Sequence, residues 1–259
     1  MGKYTKGGGT KGPNSALVMG VAIAVFGGLG GGYAMLSRQA SANATDANSG
    51  CLTKKDAPEA MLVLVDETDK LSKENAERIR QHMLDQVNRL PRYSRVLIVP
   101  FGGDIATPLH PIFDHCVPGK GEDGGVTEGA QVLQVKYDQF EKALNGLVES
   151  LQTIPDSKTS PITGQIVRAA SDEVLHWQGQ AKSLILVTDG LESSVYWTKE
   201  LQLQKPVPGL LQGVKVEYFE VGNAKGARFQ NPALRKAWKV WLEGAGGEVR
   251  MVAPGYPAG

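Results

Sequence analysis

The sequence predicts an α/β domain: a doubly wound, mostly parallel sheet with helices on both faces, Rossmann-like, preceded by one N-terminal transmembrane helix. Three observations predict it. Short, continuous apolar runs such as Met61–Val65 and Leu184–Val187 have the character of strands buried on both faces. Segments with helical periodicity alternate with them. An uncharged stretch of residues 16–36 precedes the whole and has the roughly 20 residues that a helix needs to cross a bilayer.

The elements follow in order. Ala60–Asp66 is the first strand. Lys73–Arg89 carries Ala76, Ile79, Met83 and Val87 at helical spacing, with Ser72 placed to cap its start. Arg95–Phe101 is the second strand, and residues 102–130 form a long loop rich in glycine, proline and charge. Tyr137–Leu151 is a helix. Ser160-Pro161 opens another, to about Trp177, because a hydroxyl cap followed by proline starts helices well. Ser183–Asp189 is the third strand, Leu191–Leu203 is partly helical, and Val214–Val221 is the fourth strand. Asn231-Pro232 begins a helix to Gly244, and Glu248–Val252 closes the series.

The N-terminal region sets the compartment. Lysines precede the apolar span, which places residues 1–14 in the cytoplasm and the main domain in the periplasm or outside the cell. Residues 15–36 are the span, 37–57 a flexible tether, 58–253 the folded domain and 254–259 a disordered tail. The alternative is secretion after cleavage near Ala44, since Ala42-Asn43-Ala44 has the small-x-small form of a cleavage site. A lipoprotein at Cys51 lacks the preceding aliphatic residue, and myristoylation at Gly2 meets Lys6 where a hydroxyl residue belongs. Gly27/Gly31 and Gly28/Gly32 form two small-xxx-small pairs, a candidate homodimer face within the span. Cys51 and Cys116 are the chain's two cysteines. Both fall on the oxidising side and are candidates for a disulfide.

Charge narrows the function. Four of the 28 lysines and arginines fall in residues 1–40, which hold no acid, so the remainder carries 24 bases against 27 acids. A slightly acidic domain has no electrostatic footprint for nucleic acid. No Gly-rich phosphate loop and no Gly-x-Ser-x-Gly elbow occurs.

The chemistry concentrates at two strand ends. Met61–Val65 runs into Asp66-Glu67-Thr68-Asp69-Lys70-Leu71-Ser72, and Leu184–Val187 into Thr188-Asp189-Gly190. Ligand sites in such sheets form beyond the carboxyl ends of the strands, and carboxylates with hydroxyls there suit a hard divalent cation. The order of these motifs resembles a von Willebrand factor A-type domain. That family's metal-ion-dependent adhesion site has a D-x-S-x-S motif, a middle threonine and a late aspartate. The resemblance places Asp66, Thr68, Thr163 and Asp189 as metal ligands, with Mg2+ as the ion and a carboxylate of a protein partner completing it. Lys70 departs from the pattern, standing where the second serine belongs. Asp69, Ser72 and Ser160 are the substitute or accessory groups. More narrowly, Asp66-Glu-Thr-Asp, Cys116-Val-Pro-Gly and Ser160-Pro-Ile resemble landmarks of a set of bacterial A-like proteins. Read without the resemblance, Asp66 serves as a local cap of its own loop.

Other groups carry weaker signals. His110, Asp114, His115 and Cys116 share one loop but lack a second cluster at zinc spacing. His82 and His176 have no adjacent nucleophile. Tyr196-Trp197 beside the Asp189 loop is a candidate partner-binding pair, because aromatics dominate binding hot spots. The expected function is therefore a membrane-anchored protein-binding or scaffolding module and not an enzyme. The alternative is a metal-independent structural subunit of a bacterial envelope, secretion, conjugation or defence complex, in which Lys70 replaces the ion. A metal-dependent hydrolase with Asp66 as nucleophile lacks the D-x-D spacing and an assignable base.

Overall fold

Six strands form one sheet in the order β3-β2-β1-β4-β5-β6. The computed structural model describes residues 44–68, 71–125, 128–151, 159–171, 175, 177–192, 203–222 and 229–252. The strands are β1 Ala57–Asp66, β2 Arg95–Phe101, β3 Phe113–Cys116, β4 Gly179–Thr188, β5 Val214–Glu220 and β6 Glu248–Val252. The helices are α1 Lys73–Val87, α2 Ala130–Leu151, α3 Ile162–Ser171 and α4 Pro232–Gly244. All neighbouring strands run parallel except β2 and β3. The chain divides into two units, residues 1–44 and 45–259, and all six strands and four helices belong to the second.

The continuous apolar runs become central strands because alternate residues feed opposite faces. Met61, Val63 and Val65 of β1 join a core with Ala76, Ile79 and Met83 of α1 and Tyr137, Phe140 and Leu144 of α2. Leu62 and Leu64 join a second core with Ile162 and Ile166 of α3 and Leu234, Trp238 and Trp241 of α4. Residues 61–65 of β1 are at most 1% exposed, so no polar face exists to give a period of two. The strand order reverses between β1 and β4, and the carboxyl ends of those two strands therefore frame the crevice where such sheets bind ligands.

Several boundaries differ from the sequence expectation. The segment 102–130 is not all loop: β3 pairs antiparallel with β2, from Arg95↔Cys116 to Ile98↔Phe113. Four residues of mixed burial are too few to show a period. The helix expected from Tyr137 begins at Ala130, and the one expected to reach Trp177 ends at Ser171. Trp177 is buried, and its indole N–H donates to the Ala60 carbonyl at 2.8 Å.

The tether expected over 37–57 is structured from Thr45 onward. Thr45 and Leu52 form an antiparallel bridge, and Asp46 Oδ1 accepts from the backbone N–H groups of Asn48 and Ser49 at 3.0 and 2.8 Å. The Cys116 N–H donates to the Ser49 carbonyl at 2.8 Å. The disulfide Cys51–Cys116 fastens this loop to β3 with Cα atoms 4.8 Å apart. Residues 15–36, with Gly27, Gly28, Gly31 and Gly32, and the tail 254–259 lie outside the described residues. Among the described residues no helix is long and apolar enough to cross a membrane.

Candidate functional site

Asp66 ends β1 as a carboxylate 5% exposed. Its Oδ1 accepts from the Thr68 backbone N–H at 3.1 Å and the Thr68 hydroxyl at 2.6 Å. Its Oδ2 accepts from the Ser160 hydroxyl at 2.8 Å and the Thr188 hydroxyl at 2.7 Å. Three sequence-distant segments thus meet on one side chain. Burial pushes the Asp66 carboxyl up to about 6; the Thr68 hydrogen bond opposes this, the neighbouring Asp189 charge adds to it, and Thr188 and Ser160 oppose it.

Asp189 follows β4 and is 6% exposed. Its Oδ1 accepts from the Leu191 N–H at 2.8 Å, which closes a tight turn over Gly190. Gly190 has φ +76°, and a Cβ there would lie 2.1 Å from the Tyr218 hydroxyl. Its carbonyl accepts from the Trp238 indole N–H at 2.9 Å, so α4 fixes the turn from below. Burial first, then the charges of Glu220, Asp189 and Asp66, push the Tyr218 hydroxyl well above its ordinary value. Glu220, buried at the end of β5, pairs with Arg235 of α4.

The middle threonine lies in the first turn of α3. Thr163 is 1% exposed, and its backbone N–H donates to Glu192 Oε2 at 2.8 Å. The Thr163 hydroxyl oxygen is buried without a hydrogen-bond partner among the described residues. Glu192 is itself 5% exposed. The sequence reading missed it: a lone glutamate two residues past a turn glycine has no periodicity to mark it. The one available signal was the absence of an acid in the first turn of α3, where a helix N-terminus favours negative charge.

The remaining candidates divide clearly. Ser160, expected as a substitute group, binds Asp66 directly. Ser72 accepts from the Asn75 N–H at 3.1 Å as the N-cap of α1. Asp69, Lys70, Tyr196, Trp197 and His176 lie outside the described residues. The loop histidines do not form a zinc site: Cys116 is in the disulfide, and Asp114 takes both ends of the Arg95 fork at 2.7 Å. His82 pairs with Glu217 at 2.6 Å.

The donor set is all hard oxygen, which suits Mg2+ rather than a softer metal. Among the described residues no three acidic, histidine or cysteine side chains are grouped to hold an ion by themselves. Hydroxyl groups would have to supply much of the coordination, and the Thr163 hydroxyl has no competing bond among the described residues. An ion here would have to be held partly through water, as Mg2+ commonly is.

No protein-family profile matches the chain, and no curated protein matches it. Among solved structures the chain is similar to a von Willebrand factor type A protein from Catenulispora acidiphila, at 13% identity and a TM-score of 0.38, over 76% of this chain and 39% of that one. It is also similar to the three N-terminal domains of the type V pili tip protein Mfa5 from Porphyromonas gingivalis, at 14% identity and a TM-score of 0.31, over 58% of this chain and 25% of that one. A third neighbour is the human COPII-coat protein Sec24c, at 13% identity and a TM-score of 0.39, over 78% of this chain and 30% of that one. The chain thus spans less than half the length of each of these neighbours. The von Willebrand factor A-like resemblance read from the order of motifs is shared with the first of them by name, while the α/β architecture itself rests on the strand order and register described above.

Proposed function

We propose that the chain is a protein-binding module, anchored through residues 15–36, whose domain acts outside the cytoplasm. The crevice of Asp66, Thr68, Ser160, Thr163 and Asp189 receives Mg2+, and a carboxylate of a protein partner completes the site. One observation carries this reading: a buried carboxylate ringed by hydroxyls at the point where the strand order reverses, with a buried threonine hydroxyl that has no partner among the described residues three positions along the chain from one of them, Ser160. Buried polar groups without partners are rare, and a ligand is one reason to keep one. The Cys51–Cys116 bond supports an oxidising compartment. When bound, Mg2+ supplies positive charge and oxygen coordination; Asp66 and the hydroxyls around it orient the site.

A second reading has its own support. The hydroxyls of Thr68, Ser160 and Thr188 already satisfy Asp66, so the domain can also serve as a metal-independent scaffold. A melt of the full chain in detergent separates the two, with Mg2+, Mn2+ or chelator, alongside Asp66→Ala and Asp189→Ala. A bound ion stabilises by about 2.7 kcal/mol at a hundredfold excess over its dissociation constant. A rise in Tm that both variants abolish supports the metal-bridged module. No rise in the wild type rejects the ion and leaves the scaffold.

A further inference from the structure

The first turn of α3 imports its negative charge. A helix N-terminus presents unbonded N–H groups and a partial positive charge, yet no acid lies in the first turn of α3. Glu192, from the loop beyond β4, fills the position: Oε2 accepts the Thr163 N–H at 2.8 Å, and both residues are buried. On the same residue, which is 1% exposed, the buried hydroxyl has no partner among the described residues. A carboxylate therefore already sits on the backbone N–H of the residue whose hydroxyl is unpartnered, three residues along the chain from Ser160, which bonds Asp66. The loop that carries it turns on Gly190 and is held by the Glu192 N–H donating to the Gly190 carbonyl at 3.1 Å.

The geometry points to a carboxylate subsite at the Thr163 N–H, occupied from within by Glu192 and taken over by the acidic side chain of a protein partner. Glu192 is thus an internal competitor that sets the threshold for partner binding. The inference rests on the proposed function in its choice of an acidic partner, but the subsite stands on the Thr163–Glu192 contact and the unpartnered, buried Thr163 hydroxyl. An internal group competes at the effective concentration its loop imposes, of order millimolar or above. Removing it must therefore raise the affinity for an outside carboxylate.

The test follows the Thr163 amide resonance in the full chain in detergent, titrated with sodium acetate against sodium chloride at matched ionic strength. The wild type, Glu192→Ala and the isosteric Glu192→Gln are compared in Mg2+ and in chelator. Glu192→Ala is expected to bind acetate at least about tenfold more tightly than the wild type, with Glu192→Gln between them because a neutral amide makes the weaker bond. Melts of the same samples check that each variant is folded, and Glu192→Gln carries the test if Glu192→Ala is not. Equal acetate affinity in all three, or no saturable shift at Thr163, overturns the inference even when Mg2+ still raises the wild-type Tm. A gain in acetate affinity without any Mg2+ response upholds the subsite and rejects the metal.

Discussion

Asp66 is held where its charge is costly. Its carboxyl is raised from 3.8 to about 6, so the folded domain binds its proton more tightly than the unfolded chain does. The stability from that proton is fully present below about 3.8 and is lost as pH rises through about 6. In chelator, Asp66→Asn should therefore stabilise the domain at pH 7 to 8, by about 1–3 kcal/mol. The advantage should fade as pH falls toward 4, and Tm against pH checks it. The same variant should lose any Mg2+ response, because stability and binding make opposite demands on one carboxylate. Gly190 is the second residue under constraint. Its φ of +76° and the Tyr218 hydroxyl leave no room for a side chain. Gly190→Ala should cost about 2 kcal/mol or more, read by denaturant unfolding.

Ser72 illustrates what elements decide. Its position after Asp66-Glu-Thr-Asp-Lys-Leu suits either an accessory ligand or a helix cap, and its hydroxyl accepts the Asn75 N–H of α1. Ser72→Ala should lower stability by about 1 kcal/mol and leave the Mg2+-induced shift in Tm unchanged. The elements also show what a sequence makes legible. β2, α4 and β6 keep the boundaries read from the chain, because apolar runs and the Asn231-Pro232 start mark them directly. β3 was missed because its four residues acquire strand geometry from pairing with β2, a contact that no local pattern encodes. In the site, Asp66, Thr68 and Asp189 were legible from the strands that end in them. Ser160 could be named but not ranked, since its bond to Asp66 spans 94 residues of chain. Glu192 was hidden because its partner is a backbone N–H in another element.

Across the whole molecule, the disulfide joins the start of the domain to its edge strand with a separation of 65 residues. Closing a loop of that size removes unfolded-state entropy worth about 4 kcal/mol in the chain-entropy account. Cys51→Ser with Cys116→Ser should destabilise the domain by about 2–4 kcal/mol, seen as a lower urea midpoint, and reductant should reproduce the loss in the wild type. The sheet ends in β6 on one side and β3 on the other. The loop at residues 45–52 covers part of the β3 end, through the Ser49 carbonyl.

The same bond sets how the molecule carries tension. A pull on the chain before Cys51, resisted beyond Glu192, passes from sulfur to sulfur. Residues 52–115 form a closed ring outside that path, so β1, Asp66 and Thr68 bear no stretching force along the backbone. Ser160, Thr163, Asp189 and Glu192 lie on the loaded side. A tug transmitted through the chain would thus draw on one side of the Asp66 cluster while the other stays slack, which makes the contact between Asp66 and Ser160 the seam between the two.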